Sequence, residues 1–351
     1  MNPSAENYLK TVRFETPDHI PMKFHINDAC WRNYDPQALF DLCAAHPLLF
    51  PDFRRPTEPV SRTYARVARR DEPYTDDFGC VWSTTEDGIT GTVTAHPLAD
   101  WSRYADYVFP DPARCTGIGP IDWAVTERTL RDAKASGGLA FGALRHGHTF
   151  LQLCDLRGYE NLSFDFADDR PEIHHLIAGL EEFNAGIVSR YLEIGVDVMG
   201  YAEDLGMQRG PMVSPAHFRR FIQPSYRRLM KPARDRGTLV HMHSDGDLHD
   251  LIDDIVDGGV DILNLQDLVN GIDWIGRRFA GRTCIELDID RQSVTALGTP
   301  ADIDRLIRTE VETLGSRRGG LMMIYGLYPG VPLDNVAALM DAMERYAGFW
   351  R

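Results

Sequence analysis

A chain of 351 residues, 43% hydrophobic and 25% charged, has the composition of an ordinary globular enzyme and the length to bury a large core. Its 37 Lys and Arg against 52 Asp and Glu give a formal charge of −15, a field that repels phosphate backbones and anionic lipid. Nucleic acid and membrane surfaces are thereby excluded as general partners, and no stretch approaches the ~20 apolar residues that cross a bilayer. The expectation is a cytoplasmic protein acting on small molecules. Six cysteines without a CxxC pair argue against a disulfide framework or a zinc ribbon.

In chain order, residues 14–27 read as a strand-bearing lead-in, a helix follows Asp35-Pro36, and the arginines of 60–70 suggest a helix. Residues 76–93, DDFGCVWSTTEDGITGTV, set two β-prone arms around Glu86-Asp87-Gly88, a hairpin signal. From 136 onward a single pattern repeats: a short apolar run ends in polar residues, and an amphipathic segment follows. The strand candidates are 138–144, 196–202, 238–243, 260–265, 283–287 and 321–325. After Asp169-Arg170-Pro171, the residues Ile173, Leu176, Ile177, Leu180, Phe183, Ile187 and Leu192 fall on one helical stripe. Ser214-Pro215 and Thr299-Pro300 each set a capping hydroxyl before a first-turn proline, which predicts two helix starts.

Such alternation calls for a parallel sheet. No GxGxxG turn and no GxxxxGK[ST] loop occurs, so a TIM-type (β/α)8 barrel is expected rather than a dinucleotide-binding sheet. The chain reads as one domain over 1–351, with 1–135 an N-terminal elaboration that includes the β-hairpin and 136–351 the regular repeat.

Active sites of such barrels gather at the carboxyl ends of the strands. One strand ends in Glu203-Asp204, the next in His241-Met242-His243-Ser244-Asp245, and later ones in Asn264-Leu265-Gln266-Asp267 and Glu286-Leu287-Asp288-Ile289-Asp290. Alternation puts His241, His243 and Asp245 on one side of their strand. Two imidazoles with several carboxylates at one mouth suit either a divalent cation or acid/base work. A second HxH, His146 and His148, follows the 138–144 strand beside Arg145, which can hold an anionic substrate. The structural alternatives are hydrogen-bonded core histidines, a helix-terminal charge pair at Glu203-Asp204, and capping by Glu286, Asp288 or Asp290.

These motifs resemble a known family. YAEDLGMQRGPMVSPAHFRRFIQPSYRRL, then LVHMHSDGDLHDLIDDIVDGGVDILNLQD, and the closing GLYPGVPLDNVAALMDAMERY are similar to the uroporphyrinogen decarboxylase superfamily, which includes corrinoid-linked methyltransferases. DDFGCVW and PLADWSRYADYVFPDP resemble the N-terminal region of its decarboxylase-like members, so the likeness covers most of the chain. It implies a TIM-type barrel. The arginine motif RQAGR of true uroporphyrinogen decarboxylases is missing, the corresponding region being MKFHINDACWRNYD.

The methyltransferase branch binds zinc through HxC and a later Cys. Here HxC reads His243-Ser244-Asp245, and the late position, near Tyr325, has no Cys. The resemblance therefore implies Zn²⁺ or another divalent cation held by His243 and Asp245, with Glu203 as third ligand, and a hard site suited to oxygen. His241, His146, His148 and Asp204 become candidates for proton transfer or orientation; Arg145, Asn264, Gln266 and Tyr325 are candidates for substrate contact. The expected activity is transfer of a methyl group from a small O-methylated substrate to a corrinoid on a partner protein, in a chain that can form a homodimer. The alternatives are a carboxy-lyase of the uroporphyrinogen decarboxylase type, a ligand-binding barrel without catalysis, and a metal-dependent hydrolase.

Overall fold

A computed structural model describes residues 1–58 and 60–350. Its strands are β1 Met22–Ile26, β2 Tyr74–Thr75, β3 Val81–Ser83, β4 Thr92–Ala95, β5 Phe141–Ala143, β6 Val198–Asp204, β7 Leu239–Asp245, β8 Ile262–Gln266, β9 Cys284–Asp288 and β10 Leu321–Leu327. The chain forms two compact units, each drawn from separate stretches. The first comprises Met1–Ala5, Pro73–Ser83 and Thr92–Asn264; the second comprises Glu6–Glu72, Thr84–Gly91 and Leu265–Arg351. The division falls within β8.

In the first unit β5, β6 and β7 run parallel, in a register that sets Ala202 beside His243 and Asp204 beside Asp245. One face of β6 and β7 is buried: Met199, Tyr201, Glu203, Val240, Met242 and Ser244 alternate with half-exposed Gly200, Ala202, Asp204, His241, His243 and Asp245. The predicted alternation of His241, His243 and Asp245 holds. The buried aliphatics belong to the same core as Leu180, Ile187 and Leu192 of the helix Pro171–Ile194 and Tyr226, Leu229 and Met230 of the helix Gln223–Asp235. Each such side chain contributes about 1.5–3 kcal/mol by leaving water. The stripe read from 173 to 192 is that buried face, and Pro171 stands in the first turn as expected. Ser214 caps the next helix start by accepting from His217 N at 3.2 Å. The strands of the antiparallel β2–β3–β4 sheet also lie in this unit; Glu86-Asp87-Gly88 falls between β3 and β4 in sequence, in the Thr84–Gly91 stretch of the second unit.

In the second unit β1, β10 and β9 are parallel neighbours. Thr299 and Asp302 form a capping box at the start of the helix Pro300–Leu314, as Thr299-Pro300 predicts. Asp35 caps the helix Pro36–Ala45. The arginine-rich stretch 60–70 departs from expectation: only Arg66–Ala68 makes a single 3-10 turn. Its arginines pair outward, Arg62 with Asp28 and Arg69 with Glu72, and Val67 and Ala68 supply only two buried neighbours, too narrow a stripe to dock a helix.

Glu310, on the Pro300–Leu314 helix, is fully buried beside Asp267. Burial, and then the charge of Asp267, push its carboxyl well above the usual range, which favours the protonated form there. Asp267 accepts from Leu268 N at 2.5 Å and Asp290 N at 2.9 Å. A carboxyl whose folded pKa is raised binds more protons folded than unfolded, so its contribution to stability falls as pH climbs above the unfolded value near 4.3. Thermal unfolding from pH 5 to 9 should therefore show the wild type losing stability relative to Glu310→Gln, which cannot ionise. Parallel pH profiles for the two proteins would refute the assignment.

Candidate functional site: a two-histidine, one-carboxylate cluster

The polar ends of β6 and β7 and the loop after β5 meet within the first unit. Among the described residues, His146, Asp204 and His243 offer ligand atoms that all lie within 4.8 Å of one another. Asp204 Oδ1 is 3.1 Å from His146 Nε2 and 3.5 Å from His243 Nε2, and Asp245 Oδ1 is 3.7 Å from His243 Nε2. Ligands held about 2.0–2.2 Å from one cation stand about 3.3–3.6 Å apart in a tetrahedron, close to the 3.1 and 3.5 Å between Asp204 Oδ1 and the two imidazole nitrogens.

His243 Nδ1 donates to Asn264 Oδ1 at 2.5 Å, which fixes the ring and turns the Nε2 lone pair toward Asp204 and Asp245. Burial alone would lift the Asp204 carboxyl, yet its hydrogen bonds to His146 and His243 hold it well below the usual range. Burial opposes the His243 imidazolium, but the Asp204 hydrogen bond and the Asp245 charge override it and raise the ring to about 9. The same field that retains a proton there attracts a cation, and the two compete for one lone pair.

Glu203 is elsewhere than the strand-end reading puts it. It lies on the buried face of β6, with no exposure, and its carboxylate accepts the N–H groups of Thr149, Phe150 (3.0 Å) and Leu151 (3.2 Å) at the start of the helix Phe150–Arg157. Burial, opposed by those N–H bonds, raises it to about 7. One residue of parity separates Glu203 from Asp204, and the pleat sends them to opposite faces. The cluster's carboxylate is therefore Asp204.

His148 also falls outside the cluster. It is fully buried, its Nδ1 sits 2.7 Å from Thr149 Oγ1, and desolvation lowers it to about 3. A ring that stays neutral at neutral pH is a poor proton donor. Arg145 is held inside the unit instead of facing a substrate: Nη2 bonds Asp155 Oδ2 at 3.0 Å, Nη1 bonds Gln152 and lies 3.9 Å from Asp76 Oδ2, and Nε donates to His146 O at 3.2 Å. Asp76 in turn accepts from Trp82 Nε1 at 2.8 Å. DDFGCVW thus supplies a partner for Arg145.

His241 lies two residues before His243 on the same face of β7. Gln266 and Tyr325 belong to the second unit. There Tyr325 is fully buried, donates to Thr295 Oγ1 at 3.2 Å, and is pushed up to about 12 by that burial, while the Gln266 carbonyl accepts from Asn270. The sequence names all three cluster residues but groups His243 with Asp245 and Glu203. The missing information was the register of β6 against β7 and the path of the 145–149 loop.

A family profile for uroporphyrinogen decarboxylase (URO-D) matches residues 147–346, and the chain belongs to that family. It is 25% identical over 176 residues to uroporphyrinogen decarboxylases from two strains of Thermus thermophilus, a match covering 50% of this chain and 49% of each relative. The match thus spans about half the length of those curated relatives. Among solved structures, a methyltransferase from Methanosarcina mazei superposes with a TM-score of 0.62 at 15% identity, covering 98% of both chains. The fold is of the TIM-barrel type shared by this family. Its parallel strands among the described residues are seven, β1 and β5 to β10, against the eight of a full barrel. Between β1 and β5 the chain instead builds the helix Pro36–Ala45, the antiparallel sheet, short helical turns and the helix Trp123–Ala135. Among the described residues no helix is long and apolar enough to cross a membrane.

Proposed function

We propose that this chain is a metal-assisted methyltransferase that moves a methyl group from a small O-methylated substrate to a corrinoid carried by a separate protein. The observation that carries the reading is the convergence of His146, Asp204 and His243, with Asn264 fixing the His243 tautomer. The similarity in fold to the Methanosarcina methyltransferase supports the reaction class.

Two imidazoles and carboxylate oxygen, with no thiolate, form a harder donor set than one that activates thiols. A divalent cation bound there supplies Lewis-acid polarisation of the substrate's ether oxygen. The protein's own contribution is placement and charge. Asp204 and Asp245 keep the site negative enough to retain the cation, and Asn264 holds His243 in the competent tautomer. His241 is the candidate for delivering a proton to the departing oxygen. In the transfer the carbon–oxygen bond breaks with its electron pair left on oxygen, while the reduced acceptor supplies the pair for the new bond to carbon.

The test supplies the full-length, Zn²⁺-loaded chain with reduced cobalamin and a panel of small methyl ethers. Loss of the Co(I) spectrum with stoichiometric demethylated product is expected. A protein that binds the metal and transfers no methyl group from any donor would defeat the reading.

A second reading, carboxy-lyase, is favoured by the family match and the Thermus relatives. It requires a cation for substrate carboxylates, and Arg145 is already held by Asp155, Gln152 and Asp76. CO₂ release from porphyrinogen or small carboxylates would move the assignment to it.

A further inference from the structure

Consecutive carboxylates of β6 face opposite ways. Asp204 joins the cluster, and Glu203 points back beneath the loop that presents His146. Besides the Arg145 Nε bond to His146 O, that loop has three further ties. Gly147 N donates to Ala202 O at 2.8 Å, Asn184 Nδ2 donates to His148 O at 2.8 Å, and the Glu203 carboxylate accepts three successive N–H groups, of Thr149, Phe150 and Leu151. Thr149 occupies the cap position of the Phe150–Arg157 helix, but its hydroxyl pairs with His148 Nδ1. The strand's carboxylate therefore does the capping that the helix's own first residue does not. The turn itself is constrained as well: Gly147 has φ +74°, and a Cβ there would lie 2.8 Å from Leu151 Cβ.

We infer that Glu203 is a positioning residue that sets the His146 imidazole against Asp204 by capping the following helix. The inference rests on the reading of His146, Asp204 and His243 as a cation site. It replaces a ligand role for Glu203 with a more indirect one. A single strand then holds one ligand with one residue and, with the residue before it, fixes the loop that brings a second ligand.

The probe is Co²⁺ added to the chelator-treated full-length protein, with affinity and the visible d–d absorption both recorded. Wild type, His146→Ala, Glu203→Gln and the double variant are compared. Glutamine keeps one acceptor oxygen but loses the charge and turns its NH₂ toward at least one backbone N–H that needs an acceptor, so the loop should shift. Glu203→Gln should weaken Co²⁺ binding at least about tenfold, an effect of the size seen for supporting residues around metal sites. Its d–d band should move toward that of His146→Ala. The double variant should bind no more weakly than His146→Ala alone, because Glu203 acts only through His146.

Should Glu203→Gln fail to show a cooperative melt, Glu203→Asp is read in its place. The shorter carboxylate reaches fewer N–H groups, and a several-fold weakening with a shifted band is expected. Unchanged affinity and spectrum in the folded variant, or additive losses in the double variant, would overturn the positioning role while leaving the cation site standing. A wild type that binds no Co²⁺ would overturn both.

Discussion

Asp204→Asn should weaken divalent-cation binding by about 100-fold or more, beyond the 10- to 100-fold typical of supporting residues, because Asp204 meets both histidines directly. Asparagine keeps the shape and removes the charge. His146 and His243 then face each other, ring centroids 5.5 Å apart, without the carboxylate between them. His243 Nε2 loses its nearer carboxylate and keeps Asp245 at 3.7 Å. Titration of the chelator-treated variant with Zn²⁺ measures the loss, and methyl transfer should fall with it. Affinity close to wild type would show that Asp204 serves only to pair the histidines.

Arg145→Met should destabilise the protein by about 3–5 kcal/mol, the usual cost of removing one partner from a buried ion pair. Its side chain is 5% exposed, that of Asp76 is 0% and that of Asp155 is 18%. Burial already lifts both carboxyls, against the opposing charge of Arg145. Without the guanidinium their folded pKa values rise further. Protonation then relieves the penalty at low pH, so the deficit should be smaller near pH 4 than near pH 8. Urea unfolding at the two pH values checks this. A substrate-anchoring arginine behaves differently, with a raised KM and unchanged stability, and that outcome would return Arg145 to the role the sequence alone gives it.

The contrast between these two residues shows what could be read in advance. Strand positions from β5 onward follow from apolar runs and capping signals such as Thr299-Pro300, because those are local and strong. His243 was legible because HxHxD at a strand end is unusual and alternation is intrinsic to the strand. Choosing between Glu203 and Asp204 was not possible from sequence. A one-residue shift in register exchanges the faces, and register is set by the pairing of β6 with β7. The ion pairing of Arg145 is hidden in the sequence for another reason: its partner Asp76 lies 69 residues away along the chain. Only the fold brings that carboxylate to it. The 60–70 stretch looked helical by composition, but its arginines pair with acids and its two buried neighbours give no face to dock.

His146 illustrates a middle case. The second HxH was visible, yet the two histidines part company: Gly147 turns the chain so that His146 faces Asp204 while His148 is buried. Equal spacing at 146/148 and 241/243 therefore means different things, a tight loop in the first pair and a pleated strand in the second.

The most direct test of the cation site is calorimetric titration of the chelator-treated, full-length protein with Zn²⁺, alongside Asp204→Asn and His243→Ala. One Zn²⁺ per chain is predicted for the wild type, with heat lost in both variants. No saturable binding by the wild type, or binding that both variants retain unchanged, would contradict it.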